Sequence, residues 1–594
     1  MNDALQLTHT RVDDIPLLLG LLIMLGLPEI YDREVGDHGL HTGLSSGWMF
    51  TIWLVFILTQ GDHAKYKVEE WVERHAELLS RLTGRQINSQ DFNDNRLSSL
   101  LSRLSQRERW HRFEAALWQN SVEVYEILEP SVGGLFSAHA DSTTVKGYHQ
   151  VHENGVMPRG HSQDHRPDLP QLKLMTAAMH PYGHLIATGV ESGQTADDGR
   201  YLPLIARVRQ MLGRVGVLYV GDSKMAALQT RGMSADYGDY YLTVAPLTGE
   251  TAKLLPAWVD AALRGAEPMQ TLCQENNEPI GRGYEFTRQC TAEIPTGKDG
   301  ALEGFAFSER VQVIRSDSLA QSQSRLLEKR LQKAQAEIKA LTPAPARGRR
   351  QYRDEESFKA AIAAVLEKHK VARLLGVEWE IEEQTETRLV GRGRAGANRP
   401  RREIVARRCQ VKSVKRDRKA IAEAKRRLGW RVQLSNAPTE IPLSTCVTHY
   451  RANSRGERNY DRLKDEPIGI DPIFVRNDDQ ITGLTHLLTM AARIETLIEL
   501  QVERGLKSEG KQIKGLYAGL PHQATDHPTA VAMLQAIARK EITLTRAEFN
   551  GQRSLHLSPL PKWLPDVLRY LHLSPTLYAD LPKNSAFDIS IFGK

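Results

Sequence analysis

Two apolar runs that each end in a carboxylate constrain this chain more than any other feature. Residues 134–140 deliver Asp141 into Ser142, Thr143 and Thr144, and residues 216–221 deliver Asp222 ahead of Ser223. Short apolar runs of this kind fit strands buried on both faces. An acid at the carboxyl end of such a strand lies where open α/β sheets hold their ligands. Taken singly, an Asp before Ser and Thr serves equally well as a turn or a helix cap. Two such acids on adjacent strands would form a pair at one sheet edge.

The sequence between and after them predicts that adjacency. Leu172 to His180 and His184 to Val190 are apolar runs joined by Pro181, Tyr182 and Gly183, a hairpin pattern. A helix over Asp197 to Leu212, the run ending at Asp222, a helix over Lys224 to Arg231 and a strand over Tyr240 to Ala245 follow. The order is three strands, helix, strand, helix, strand. With the first and fourth strands side by side, Asp141 and Asp222 meet at one edge of a mixed sheet.

Residues 1–125 read as all-α. Asp13 and Asp14 precede Pro16 at a helix start, and amphipathic helices fit Lys67 to Leu82, Asn95 to Leu104 and Arg107 to Gln119. Arg103, Arg107, Arg109 and His111 suit a DNA-end-binding or dimerisation module, and a plain bundle equally. The most apolar runs, Ile15 to Leu27 and Met49 to Leu58, fall short of the ~20 residues that cross a bilayer and predict buried helices. No basic segment precedes a hydrophobic core at the N-terminus, so neither a signal peptide nor a membrane partner is expected. Cys273, Cys290, Cys409 and Cys446 form no Cys-x-x-Cys pair, which fits a reducing cytoplasm better than a disulfide scaffold.

The net charge of +6 hides a strong asymmetry. Residues 391–430 hold fifteen Lys or Arg, among them Lys412, Lys415 and Arg416, against Glu403, Asp417 and Glu423. Such density attracts a polyanion by counterion release. The Gly-rich start of the segment suits a solvated loop, whereas Lys412 to Leu428 is expected to be a DNA-facing helix.

Paired carboxylates suit Mg²⁺, which takes oxygen ligands and keeps positions for water and phosphate. Two ions about 3.5–4 Å apart hold both the attacking and the leaving oxygen of a phosphoryl displacement. The expected cofactor is two Mg²⁺ ions, with Mn²⁺ as a substitute. A third acid, Glu457, comes from a helical stretch in which Tyr450, Glu457 and Lys464 are spaced by seven and so share one face. Asp461 and Glu466 are the alternatives to Glu457.

On these residues the chain resembles a DDE transposase of a bacterial insertion sequence, from the branch with a Tyr-x2-Arg-x3-Glu-x6-Lys signature. The matching blocks are Asp141 to Thr144 with Gly160 to Gln171, then Val220 to Ser223, then the helix around Glu457. The resemblance implies an RNase H-like mixed sheet flanked by helices and interrupted by a large insertion. It also implies cleavage of terminal inverted repeats and joining of the 3′-OH to target DNA, by a homodimer that is cytoplasmic and nucleoid-associated. Asp141, Asp222 and Glu457 would bind metal, and Tyr450, Lys464, Thr143 and Arg166 would contact DNA. Asn453 stands where the signature has Arg, leaving Arg451 or Arg455 to make that contact.

The expected division is a helical domain over 1–125, catalytic segments over 126–245 and 446–508, an insertion over 246–445 and a helical tail over 509–594. Within the insertion, Leu319 to Leu341 and Ser357 to Val371 are predicted helices. Seven histidines fall between His139 and His184. His161 and His165 have the spacing of helical metal ligands, but Asp164 and Pro167 around them suggest a loop, so packing or phosphate contact is expected rather than zinc. Two other function classes share these features: a metal-dependent nuclease that cuts without joining, and a non-catalytic DNA-binding protein derived from a transposase.

Overall fold

The computed structural model describes residues 5–582 except 38, 40–41, 153, 161–165, 197, 275, 297–300, 345, 347–350, 392–399, 453, 465–467 and 550–551. The chain begins with a strand, β1 (Gln6–Arg11), and six helices: α1 (Ile15–Met24), α2 (Leu27–Glu34), α3 (Ser46–Gln60), α4 (Lys65–Thr83), α5 (Asp94–Leu104) and α6 (Arg107–Tyr125). Then come β2 (Ser137–Lys146), β3 (Gln171–Met179), β4 (His184–Ser192), α7 (Tyr201–Leu212), β5 (Leu218–Gly221), α8 (Leu228–Asp236) and β6 (Tyr240–Val244). The next stretch holds α9 (Gly249–Leu263), β7 (Gln270–Cys273), β8 (Pro279–Thr296), β9 (Ala301–Ser316), α10 (Asp317–Ala340) and α11 (Glu355–Lys368). It continues through β10 (Leu375–Leu389), β11 (Arg401–Arg416), α12 (Arg418–Arg426) and β12 (Trp430–Ser435). The chain closes with α13 (Leu443–Arg451), α14 (Ser454–Lys464), α15 (Asp478–Glu509), β13 (Ile513–Lys514), β14 (Ala524–Thr525), α16 (Ala530–Ala538), β15 (Thr543–Phe549), β16 (Gln552–Leu557) and α17 (Leu564–Tyr570).

These elements form two compact units. The first comprises residues 1–244, 289–309 and 435–594, and the second comprises 245–288 and 310–434. The first unit holds a large mixed sheet flanked by helices, with neighbouring strands in the order β4-β3-β2-β5-β6. β2 pairs antiparallel with β3 and parallel with β5, and β5 is parallel to β6. The predicted run of three strands, helix, strand, helix, strand is therefore present, with the first and fourth strands adjacent. β5 reads Leu-Tyr-Val-Gly and is buried throughout, as expected of a strand flanked by parallel neighbours.

Helix α15 is the central support of this unit. It is buried along most of its length and packs against α5 and β4. Gly483 makes the crossing with α5 possible, because a Cβ there would meet the Leu101 carbonyl oxygen at 2.1 Å. Buried Glu114 of α6 ties the helical layer to the sheet. Its Oε1 accepts the Thr188 amide and hydroxyl, both at 2.9 Å, and its carboxylate pairs with Arg207 and Arg493. α1 and α3 are buried as expected, and among the described residues no single helix is long and apolar enough to cross a membrane.

Residues 1–125 are not all-α. β1 pairs antiparallel with β15 in a three-stranded sheet completed by β16, so the first strand joins the last hairpin, a long-range pairing that local periodicity does not encode. Arg103 and Arg109 donate to the carbonyls of Gly36 and Val35 just after α2, an internal capping role.

In the second unit α10 buries Leu327, Leu331, Ala334 and Ile338 against Val365, Val371, Leu375 and Ile421. That stripe serves the unit's own core. Among the described residues β10 and β11 pair only with each other, in a long antiparallel ribbon anchored at Val377, Val411 and Val414 against that core and exposed at its outer end. The helix expected over Lys412 to Leu428 is therefore a strand as far as Arg416, and only Arg418–Arg426 is helical. Asp417 caps that helix by accepting the amides of Lys419 and Ala420 at 3.0 and 2.9 Å, which fixes the switch from strand to helix.

Candidate active site

The parallel register of β2 and β5 brings the first two acids together. Ala138 lies opposite Tyr219, His139 opposite Val220 and Ala140 opposite Gly221, so the next residues, Asp141 and Asp222, are neighbours where β5 ends. Gly221 is needed for that approach: a Cβ would meet Met225 Sδ at 2.7 Å and the Ala140 carbonyl oxygen at 3.1 Å. Asp141 is partly buried and its Oδ1 accepts the Ser142 amide at 2.8 Å. Asp222 is exposed, and its Oδ1 accepts both the Lys224 amide at 2.9 Å and the Tyr201 hydroxyl at 2.8 Å.

Two tyrosines that the sequence did not single out complete this corner. Tyr201 opens α7 and is wholly buried. Burial, followed by the charges of Asp222 and Asp141, pushes its phenol far above the ordinary range, so it stays a donor. Tyr460 lies on α14, and its hydroxyl is 2.6 Å from that of Thr176, the cross-strand partner of Asp141. Burial, and after it the charge of Asp141, pushes the Tyr460 phenol well up as well. No local pattern marks either residue. Their importance comes from where tertiary packing puts them.

The helical stretch expected over Tyr450 to Lys464 is two helices, α13 and α14. Tyr450 is therefore not on the helix of Glu457; it packs partly buried against the Val220, Leu242 and Cys446 cluster. Arg451 is exposed at the end of α13. Asn453 and the side chains of Ser454 and Arg455 lie outside the described residues, so the position of the departed Arg is not among them. Glu457 is exposed, one turn before Tyr460 on the same stripe of α14, and Lys464 follows seven residues later on that stripe. α14 packs against β2 and α15, with Arg462 bonded to Glu499 and Asn459 Nδ2 donating to the Gly183 carbonyl at 2.7 Å. Among the described residues, Asp141, Asp222 and Glu457 do not make a group of three ligand atoms within 4.8 Å of one another, whereas three histidines do. Of the alternative acids, Asp461 is exposed on α14 and Glu466 lies outside the described residues.

The proposed DNA contacts scatter. Thr143 is 5% exposed on the interior of β2. Arg166 is exposed and makes a bidentate pair with Asp168, at 2.9 and 2.8 Å; His161 and His165 lie outside the described residues. In the second unit Lys412 and Lys415 reach Glu380 and Glu378 across the ribbon, each at 2.6 Å, and Arg416 pairs with Glu328.

The pair Asp141 and Asp222 offers oxygen donors only, with one Asp222 oxygen already held by Tyr201, and this donor set fits a hard divalent cation.

No protein-family model matches the chain, and no curated protein matches it. Among solved structures, the piggyBac transposase synaptic complex with hairpin DNA superposes with a TM-score of 0.33 at 9% identity, covering 90% of this chain and 81% of that chain. At that score the likeness decides nothing, and the functional reading rests on the site itself.

Proposed function

We propose that the chain is a DDE-type DNA transposase on an RNase H-like sheet, a polynucleotidyl transferase that cuts the ends of a DNA element and joins the freed 3′-OH to target DNA. The observation that carries this reading is the β2–β5 register, which sets Asp141 beside Asp222 at the end of the central parallel pair. Bound there, Mg²⁺ would lower the pKa of an attacking water or 3′-OH and neutralise charge on the phosphate. Asp141 and Asp222 would hold the ions. Tyr201 fixes the carboxylate of Asp222, so that its second oxygen is presented in one orientation. Tyr460 fills the space beside Asp141 and positions α14, from which Glu457 supplies the third carboxylate. Lys464, on the same stripe, is the cation for a neighbouring phosphate. The ribbon of β10 and β11 supplies sequence-independent attraction to DNA, and the terminal repeats are bound by a homodimer.

The test is a Mg²⁺-dependent cleavage assay on a duplex carrying the element's terminal repeat, with Asp141→Ala, Asp222→Ala and Glu457→Ala, followed by strand transfer from a pre-cleaved 3′-OH end. Each variant should lose both reactions while still binding DNA. Full activity in Glu457→Ala would transfer the third role to Asp461 or Glu466. Cleavage without strand transfer in the unaltered protein would make it a nuclease, and DNA binding with neither reaction would remove the catalytic reading.

A further inference from the structure

His139, His180 and His449 come from three separate elements and converge in the interior of the first unit. His139 lies on β2, His180 directly follows β3, and His449 lies on α13. One ring nitrogen from each lies within 4.8 Å of the other two. The rings of His139 and His180 are stacked with centroids 5.2 Å apart, and His449 stands nearly perpendicular to both, 4.4 Å from His180 and 5.2 Å from His139. His139 and His449 are each only 5% exposed, and His139 Nε2 and His180 Nδ1 are sealed from solvent.

We propose that these three imidazoles form a Zn²⁺ site, separate from the acid pair. Imidazole nitrogen is a favoured donor for zinc and other late first-row ions, and three histidines with a water in fourth place is an established zinc coordination set of the open kind. Tetrahedral coordination with bonds of about 2.0–2.1 Å needs only a small inward movement from the present spacing. The outer contacts suit it too. Ser137 Oγ lies 2.7 Å from His449 Nε2, the kind of contact that fixes the orientation of a buried ring. The Ser137 carbonyl accepts the His180 amide at 3.0 Å, so one residue steadies two ligands.

The site has a consequence for the acids. His139 precedes Asp141 by two residues on the same face of β2, about 7 Å along the strand. α13 leads into α14, the helix of Glu457 and Tyr460. A zinc ion here would staple α13 to β2 and β3 and so fix where α14 starts. The staple stands whether or not the acid pair cuts DNA.

Full-length protein purified without chelator should hold one zinc per chain by elemental analysis, and retain it through desalting in excess Mg²⁺. Co²⁺ alone, added to chelator-stripped protein, should give the strong visible absorption of a four-coordinate site. His180→Ala and His449→Ala should weaken zinc binding by more than the roughly 10–100-fold that loss of an outer partner costs, and Asp141→Asn should retain the zinc. Stripped wild-type protein that takes up no zinc, or a six-coordinate cobalt spectrum, would overturn the proposal even if the histidine variants fail to fold. Loss of zinc in Asp141→Asn would overturn it by placing the ion on the acids.

Discussion

Tyr201 gives its hydroxyl to the Asp222 oxygen that also accepts the Lys224 amide, so one oxygen of that carboxylate is committed and the other is left for a ligand. A hydrogen bond to a charged group is worth about 1.5–3 kcal/mol. Removing it frees the carboxylate to rotate without taking away its charge. Tyr201→Phe should keep the fold, raise the Mg²⁺ concentration needed for half-maximal cleavage and lower the rate about 10-fold, equivalent to about 1.4 kcal/mol. A Mg²⁺ titration indistinguishable from wild type would show that Tyr201 is only packing. Asp14 carries a prediction about pH. Burial raises its pKa to about 7, with Thr59 pulling it down and Asp13 pushing it up. Between about pH 4 and 7 the folded chain therefore holds a proton that the unfolded chain has lost, so stability from this group is complete at low pH and disappears as pH rises through 7. At 1.36 kcal/mol per unit the effect reaches at most about 4 kcal/mol. Glu495, raised to about 7 chiefly by burial, works in the same direction. The urea midpoint should fall from pH 5 to pH 8, and Asp14→Asn should flatten that slope; parallel profiles for the two proteins would refute the assignment. Asp222 was legible in the sequence because it directly follows a short buried strand, whereas Asp141, expected at a strand end, lies in the middle of β2, which runs on to Lys146. Tyr201 and Tyr460 were not, because nothing local distinguishes a tyrosine that reaches a carboxylate across the fold.

At the scale of elements, packing of α15 against α5 depends on the absence of a side chain at Gly483. The obstacle an added Cβ would meet is backbone, with the Leu101 carbonyl oxygen at 2.1 Å and its carbon at 2.6 Å, so a rotamer change cannot relieve it. Gly483→Ala should cost about 3 kcal/mol, the upper part of the usual range for overpacking, measured by urea denaturation. A change within about 0.5 kcal/mol would mean that the two helices separate freely. Strands and helices whose signal is short-range were readable from periodicity, as in β3, β4, α7 and α10. The stretch Tyr450 to Lys464 misled because a spacing of seven is consistent with one helix but says nothing about a break at Ala452. β1 misled for the opposite reason: its partner, β15, lies at the other end of the chain.

At the scale of the whole molecule, charge must be counted on the folded surface. The basic segment 391–430 gains its density along the sequence, but β11 lies against β10, which carries Glu378, Glu380, Glu382, Glu383 and Glu386. The two strands of the ribbon, Leu375–Leu389 and Arg401–Arg416, carry eight Lys or Arg and six Glu in their sequence. The acids are concentrated toward the inner end and along the middle of β10, so the neutralisation is uneven. Lys412 and Lys415 each have a glutamate at 2.6 Å, whereas Arg401 and Arg402 are exposed at the outer end, beside the sequence positions of Arg392, Arg394 and Arg399. Each phosphate contact contributes about 0.9 to the slope of log K against log salt for duplex DNA. The double substitution Arg401→Gln with Arg402→Gln should therefore weaken binding to duplexes of any sequence and reduce the slope by about 2. Lys412→Gln with Lys415→Gln should change it less, because binding DNA through those lysines first requires breaking their pairs with Glu380 and Glu378. Binding isotherms at four or five salt concentrations distinguish these outcomes. Equal losses from the two double variants would mean that the cross-strand pairs open at no cost, and an unchanged slope in both would move the DNA contact away from the ribbon altogether.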